Sequence, residues 1–277
     1  MTHNLLSVTW DASPYIFWGL RWYALMFLIS FALGLWIYKN MILREHRPIS
    51  LFDNVWMPVF IATIAGARLG HCLFYDPGYF LAHPLEIILP VRFSPFEFVG
   101  YQGLASHGAA VGILLGLYYY SRKNKVPYLW TLDRVVITIA LAGFFIRMGN
   151  LMNSEVYGHE TNLPWGFIFV RRGETLPKHP TQIYEALCYL LIFIFLYMLY
   201  LKKRPPFRDG VIFSLFLILL FGARFCIEFV KEVQEDFEKN MILDMGQILS
   251  IPLILAGVIL LIGLYKKGLT VKVKPKK

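Results

Sequence analysis

Charge is scarce in this chain. Asp, Glu, Lys and Arg make up 16% of its 277 residues, and hydrophobic residues make up 57%. Soluble domains carry about 25% charged residues, so the composition excludes an ordinary water-soluble domain and points to the membrane. Cysteine is scarcer still. Cys72, Cys188 and Cys226 are odd in number, far apart and set in apolar runs, which excludes a disulfide framework or CxxC motif and leaves hydrophobic packing as their expected role. His71, His159 and His179 lack HxxxH or HExxH spacing, so neither a metal nor another cofactor is expected. There is no GxSxG, and no cysteine occupies a polar, electropositive position, so any nucleophile belongs to a substrate. Repeats, low-complexity tracts and long linkers are missing too, which predicts one polytopic membrane domain over 1–277. The first apolar run has no basic segment before it and no small-residue cleavage site after it, so a retained helix is expected.

What is present is a series of apolar runs near 16–38, 55–75, 101–120, 131–152, 184–201, 211–230 and 246–266. About 20 such residues cross a bilayer, which predicts an all-α integral membrane protein with seven transmembrane helices. Seventeen Lys and Arg lie in 39–54, 121–134, 202–210 and the tail from 266, against six in 1–15, 76–100, 153–183 and 231–245. By the positive-inside rule the N-terminus is outside and the C-terminus cytoplasmic. The net charge of +9 is then a topology signal and an attraction to anionic lipid, with no nucleic acid implied. Two outer segments exceed ordinary loops. Residues 76–100 are expected to form an arm in the interface. Residues 153–183 are expected to form a small outer head, with a strand and turn in Trp165-Gly-Phe-Ile-Phe-Val170 and Arg171-Arg-Gly173.

The polar residues inside these runs carry the chemistry. Arg147 closes the apolar stretch 132–152, where an arginine costs roughly 2.5–3.5 kcal/mol at a helix centre and less near the ends, so it reads as functional. Asn150 lies on the same face, and Gly149 allows a close approach. With the expected topology, Arg21 and Tyr23, Arg68, Ser106 and His107, Arg147 and Asn150, Gln182 and Tyr184, Arg224 and Glu228, and Gln247 share the outer third. Four arginines facing few carboxylates suit phosphate. Arg224 and Glu228 are spaced to meet on one helix face. His107, among the glycines of 103–112, has the pKa range for proton transfer.

These residues fall into motifs. Gly103-Leu-Ala-Ser-His-Gly-Ala-Ala-Val-Gly112 resembles the HGG-type motif of bacterial prolipoprotein diacylglyceryl transferases. Arg147-Met-Gly-Asn-Leu-Met-Asn-Ser-Glu155-Val-Tyr-Gly158 resembles their signature segment. His179-Pro-Thr-Gln-Ile-Tyr-Glu185, Arg224-Phe-Cys-Ile-Glu228-Phe and Met245-Gly-Gln-Ile-Leu-Ser250 follow in the family's order, after Arg21-Trp-Tyr23 and Ala67-Arg-Leu-Gly70. The similarity covers about 14–265. Two positions depart from the pattern: Ala109 stands where a second glycine is frequent, and His159 follows Gly158 in place of a common Arg.

The resemblance implies transfer of the diacylglyceryl group of phosphatidylglycerol to the lipobox cysteine of exported prolipoproteins, leaving a thioether and glycerol 1-phosphate. It implies a multi-pass protein of the bacterial cytoplasmic membrane, with the site facing outward and lipid bilayer, donor lipid and prolipoprotein as partners. Arg147 and Arg224 are the expected phosphate ligands. His107 has two open roles, taking the thiol proton or hydrogen-bonding the donor headgroup. Tyr23, Arg68, Asn150, Asn153, Gln182, Tyr184 and Gln247 would line and wire the pocket, Glu155 and Glu228 would orient arginines, and Gly158 would allow a tight turn. The main rival is a transporter of an anionic lipid or organic anion, which would favour repeats and broken helices. A retinal photoreceptor lacks its lysine in the last helix, and an intramembrane protease lacks paired aspartates or a Ser–His motif.

Overall fold

The computed structural model describes residues 7–74, 77–89, 91–93, 96–98, 105–202, 208–233, 238 and 241–269. Expectations for 101–104, for parts of the arm and for most of the basic tail lie outside the described residues. Six helical segments among them are long and apolar enough to cross a membrane: Trp22–Arg44, Ser50–Phe74, Tyr128–Met152, Thr181–Leu201, Val211–Glu228 and Met245–Lys266. Their exposure is inverted relative to a soluble protein. Phe27, Phe60, Leu191 and Ile259 are exposed, whereas Asp133, Gln182, Glu185 and Lys231 are buried, as expected where lipid is the solvent. The chain is therefore an all-α integral membrane protein. It divides into two compact units, 39–132 and 1–38 with 133–277.

The unit 39–132 holds α2 (Ser50–Asp53), α3 (Trp56–Phe74), α4 (Pro77–Ala82), α5 (Leu85–Ile88), β2 (Val91–Phe93), β3 (Phe96–Phe98) and α6 (Ser106–Lys123). The described residues of the segment expected as the arm form two short helices and an antiparallel pair, with Val91 opposite Phe98. Helices α3 and α6 pack backbone to backbone along Ala62, Gly66 and Gly70 on one side and Gly108, Gly112 and Gly116 on the other. Small residues four apart allow this in a membrane, where dispersion and close backbone approach replace the hydrophobic effect. A Cβ on Gly108 would lie 2.8 Å from the Gly70 Cα, and one on Gly112 would strike the Ala62 carbonyl. These two glycines therefore seat α3. Gly112→Val is expected to lose roughly 1–3 kcal/mol or more, read as a lower unfolding midpoint in detergent. Gly263→Ala, with nothing within 4 Å of the added carbon, should leave the midpoint unchanged.

The other unit holds β1 (Val8–Trp10), most of α1 (Trp22–Arg44) and of α7 (Tyr128–Met152), then β4 (Phe167–Phe169), α8 (Thr181–Leu201), α9 (Val211–Glu228) and α10 (Met245–Leu269). Helix α1 begins at Trp22 and not near 16, because a Tyr15–Arg21 bridge with Trp18 and Gly19 at positive φ turns the chain first. The strand expected near Trp165 is Phe167–Phe169, and its partner is β1, parallel, with Val8 opposite Phe167 and Trp10 opposite Phe169. The Trp10 indole donates to the Leu151 carbonyl at 3.0 Å, tying this pair to the end of α7. At the other end of α7, the buried Asp133 carboxylate accepts from the Gly210 and Phe213 amides at 2.9 and 2.8 Å. It satisfies free N–H groups at the start of α9 and favours its dipole. Helix α9 packs on both α8 and α10, with Gly257 admitting the Ser214 carbonyl.

Candidate active site

In the larger unit the polar residues embedded in spanning helices converge on Arg147. The Gly149 position explains the convergence of α1 and α7, since a Cβ there would come within 2.7 Å of the Tyr23 ring. Arg147 Nη1 donates to Asn150 Oδ1 at 3.0 Å, and Asn150 Nδ2 donates to Glu155 Oε1 at 2.8 Å. Asn153 Nδ2 reaches the same oxygen at 3.3 Å, and Gln182 Nε2 holds the Glu155 carbonyl at 2.7 Å. The Tyr23 hydroxyl lies within electrostatic reach of both Glu155 and Arg147.

The direct carboxylate partner of Arg147 is Glu185, through Nε. Glu185 also accepts from the Tyr189 hydroxyl at 3.3 Å. Lys231 Nζ then bridges Glu185 at 3.4 Å and Glu228 at 3.3 Å, with its side chain only 4% exposed. Gly246 makes room for the Glu228 carboxylate, since a Cβ there would lie 2.5 Å from Cδ. Arg224 is half-buried, within reach of the Tyr189 hydroxyl, and makes no hydrogen bond or ion pair among the described residues. The expected Arg224–Glu228 pair is therefore absent; Glu228 turns to Lys231. Arg224 thus leaves a guanidinium whose donors are unused among the described residues, an arrangement fitted to an anion.

Other expected residues have partners of their own. The Tyr184 hydroxyl accepts from Trp165 Nε1 at 2.9 Å and meets His179 Nδ1 at 3.2 Å. Gln247 Oε1 accepts from the Asp244 amide at 3.2 Å, and its Nε2 reaches the Phe225 carbonyl at 3.4 Å, closing the start of α10. Gly158 has no positive φ; it is needed because a Cβ would strike the Val230 carbonyl and lie 2.8 Å from His179 Cβ. Its pairing with Lys231 is what brings that lysine to the network. In the unit 39–132, Arg68 donates to the Glu86 and Ile87 carbonyls at 2.5 and 3.1 Å and stacks over Phe80, so it pins the arm. His107 is exposed near the start of α6 and makes no hydrogen bond among the described residues.

Sequence reasoning passed over Glu185, Tyr189 and Lys231. Glu185 sits inside a quoted motif and Glu228-x-x-Lys231 has i,i+3 spacing, so a signal existed. Lys231 was counted as a loop charge because it follows the helix end.

The segment between α7 and α8 has its own charge cluster. Burial pulls the Lys178 ammonium down, but Glu232 and Glu174 outweigh it and hold its pKa above the ordinary lysine value. Burial, reinforced by His159, lowers the His179 pKa below 6.5. A depressed folded pKa gives stability that is present above the unfolded value and is lost as pH falls. Amide protection over 157–180, corrected for intrinsic exchange, should therefore drop below about pH 6.5, and His179→Asn should flatten that dependence.

Together these features define a polytopic membrane protein with an arginine-centred polar network among its spanning helices. The sequence profile of the prolipoprotein diacylglyceryl transferase family matches residues 14–263. The chain is 43% identical over 285 residues to the phosphatidylglycerol–prolipoprotein diacylglyceryl transferase of Porphyromonas gingivalis, covering 96% of this chain and 97% of that one. Similarity to the enzymes of that name from Bacteroides fragilis, at 39% identity with 93% and 95% covered, and Tolumonas auensis, at 40% with 91% and 96% covered, is as extensive. The chain belongs to the prolipoprotein diacylglyceryl transferase family.

Proposed function

We propose that this protein transfers the sn-1,2-diacylglyceryl group of phosphatidylglycerol to the lipobox cysteine of prolipoproteins, the first step of bacterial lipoprotein maturation. The thiolate attacks the C3 carbon of the diacylglycerol unit, an S–C bond forms, and the C–O bond to phosphorus-bound oxygen breaks. Glycerol 1-phosphate leaves with the electron pair, and the thiol proton passes to a base. The observation that carries this reading is Arg147, fixed between Glu185 and Asn150, with Arg224 acting on the same Tyr189 and without a carboxylate partner among the described residues. Donors fixed in advance cost no reorganisation as charge develops on the departing phosphate.

Arg147 and Arg224 take the phosphate. Glu155 acts through Asn150, Glu228 acts through Lys231, and Tyr23, Asn153, Gln182, Tyr184 and Gln247 line or brace the site. Arg68 contributes by holding the arm. His107, whose imidazole has no hydrogen bond among the described residues, takes the thiol proton or binds the headgroup. Helix α6 is a seventh span, the N-terminus and the site face outward in the cytoplasmic membrane, 76–100 is the interfacial arm and 153–183 the outer head. The basic asymmetry of the loops supports this orientation.

Purified protein in detergent, given phosphatidylglycerol and a lipobox peptide, should add a diacylglyceryl mass to the cysteine. Phosphatidylethanolamine should react poorly, because its headgroup brings a cation into a basic pocket. Equal turnover of both lipids would remove the electrostatic basis of the reading, and no transfer at all would favour a carrier.

A further inference from the structure

A cavity of about 410 Å³ lies in the same unit, with Glu155 in its lining. It forms where three segments meet: the turn before α1 with Arg21, the end of α7 with Asn153, Ser154 and Glu155, and the turn after β4 with Arg171 and Arg172. Its charges are unequal. Arg171 is neutralised by Asp11 at 2.8 Å, but Arg21 and Arg172 face no carboxylate within ion-pair distance among the described residues. Both guanidiniums are nevertheless fixed. Arg172 Nε and Nη2 donate to the Ser154 and Asn153 carbonyls at 2.9 and 3.3 Å. Arg21 stacks on Tyr15 and donates to its hydroxyl at 3.2 Å.

The wall of the cavity holds unused hydrogen-bonding capacity. Ser154 is 2% exposed, is held at φ +52°, and its Oγ has no partner. The Asn153 Oδ1 is likewise buried without one. Buried polar atoms are rarely left unpaired unless a water or ligand completes them. Two guanidiniums and a hydroxyl donor suit a phosphate, while the Asn153 oxygen and the Glu155 carboxylate accept from hydroxyl groups. A molecule carrying both a phosphate and free hydroxyls matches the charge and the donor and acceptor types of this lining. Glu155 also holds Asn150, which holds Arg147, so the cavity adjoins the reacting network through a single carboxylate.

We propose that this cavity binds the glycerophosphoryl group, in the form of glycerol phosphate, through Arg21, Arg172 and Ser154. The inference rests on the transferase reading, in which a water-soluble glycerol phosphate must leave a site among membrane helices. The same chemistry is present in the headgroup of the intact lipid, and the two sources are separable by experiment.

Binding of sn-glycerol 1-phosphate to purified full-length protein, measured without lipid or peptide, should weaken by about tenfold in Arg21→Gln and Arg172→Gln, the loss of one charge-assisted contact. Ser154→Ala should weaken it severalfold. Glycerol and inorganic phosphate, each offering half of the interactions, should bind less tightly than the ester. Product inhibition by glycerol phosphate should relax in proportion, with KM for phosphatidylglycerol unchanged if the site receives the product. A parallel rise in KM, with competition between the two, would support the site and assign it to the lipid headgroup. Arg21→Gln keeps the test open if Arg172→Gln fails to fold, since Arg21 is exposed and its side chain hydrogen-bonds only to Tyr15 among the described residues. Unaltered affinity in a folded Arg21→Gln protein overturns the proposal. Binding is read without turnover, so a failure of diacylglyceryl transfer in the native protein would overturn the transferase reading separately.

Discussion

Arg147→Lys and Arg224→Lys, in protein shown to be folded and inserted, are each expected to lose on the order of 10²–10³ in transfer rate, as deletions of oxyanion donors do. Lysine preserves the charge and removes the planar fork. The network shows why this matters at Arg147. Its Nε engages Glu185 while Nη1 engages Asn150, and an ammonium group cannot reach both and still present a donor to phosphate. Arg224 differs, because no carboxylate fixes it among the described residues. Its lysine variant tests direct contact with substrate, and its loss should fall on kcat as the departing charge is left without its donor. The alanine variants should be worse. Near-normal rates in both lysine variants would exclude a two-donor phosphate clamp. His107→Gln separates the roles of the histidine. If the imidazole is the base, activity is poor and recovers as pH rises toward the thiol pKa; if it binds the headgroup, turnover persists with an unchanged pH profile.

The second large effect concerns Lys231. Lys231→Met leaves Glu185 and Glu228 buried, with one fewer cation between them. Removing one member of a buried ionic group costs about 3–5 kcal/mol, because the remaining charges lose solvent and partner together. The unfolding midpoint in detergent should fall accordingly, and activity with it, as Glu185, which holds Arg147, loses the ammonium that shares it. Lys231→Met combined with Glu228→Gln restores the balance of charge and should recover much of the stability, a non-additivity expected of residues in contact. A midpoint unchanged in Lys231→Met would show that the lysine is not part of the network.

The sequence by itself determined the membrane class, the approximate spans and the residues too polar to be in lipid without purpose. The reason is that these are local properties. About 20 apolar residues are needed to cross a bilayer, an embedded arginine is costly wherever it sits, and i,i+3 spacing on α7 already aligned Arg147 with Asn150. The glycines at four-residue spacing in α3 and α6 were also visible. Only the tertiary structure decided that they pack on each other, because helical periodicity names a face without naming what covers it. The same limit explains the carboxylates. Spacing on α9 offered Arg224 to Glu228, yet Lys231, brought in by its backbone pairing with Gly158, takes Glu228 and Glu185. Glu155 was a plausible partner for Arg147 by proximity in the chain, but Glu185, from α8, holds it directly. The pairing of Val8–Trp10 with Phe167–Phe169 and the cavity lined by Arg21, Ser154 and Arg172 join segments more than a hundred residues apart. Contacts of that kind depend on how helices pack, and a pattern along one element does not contain them.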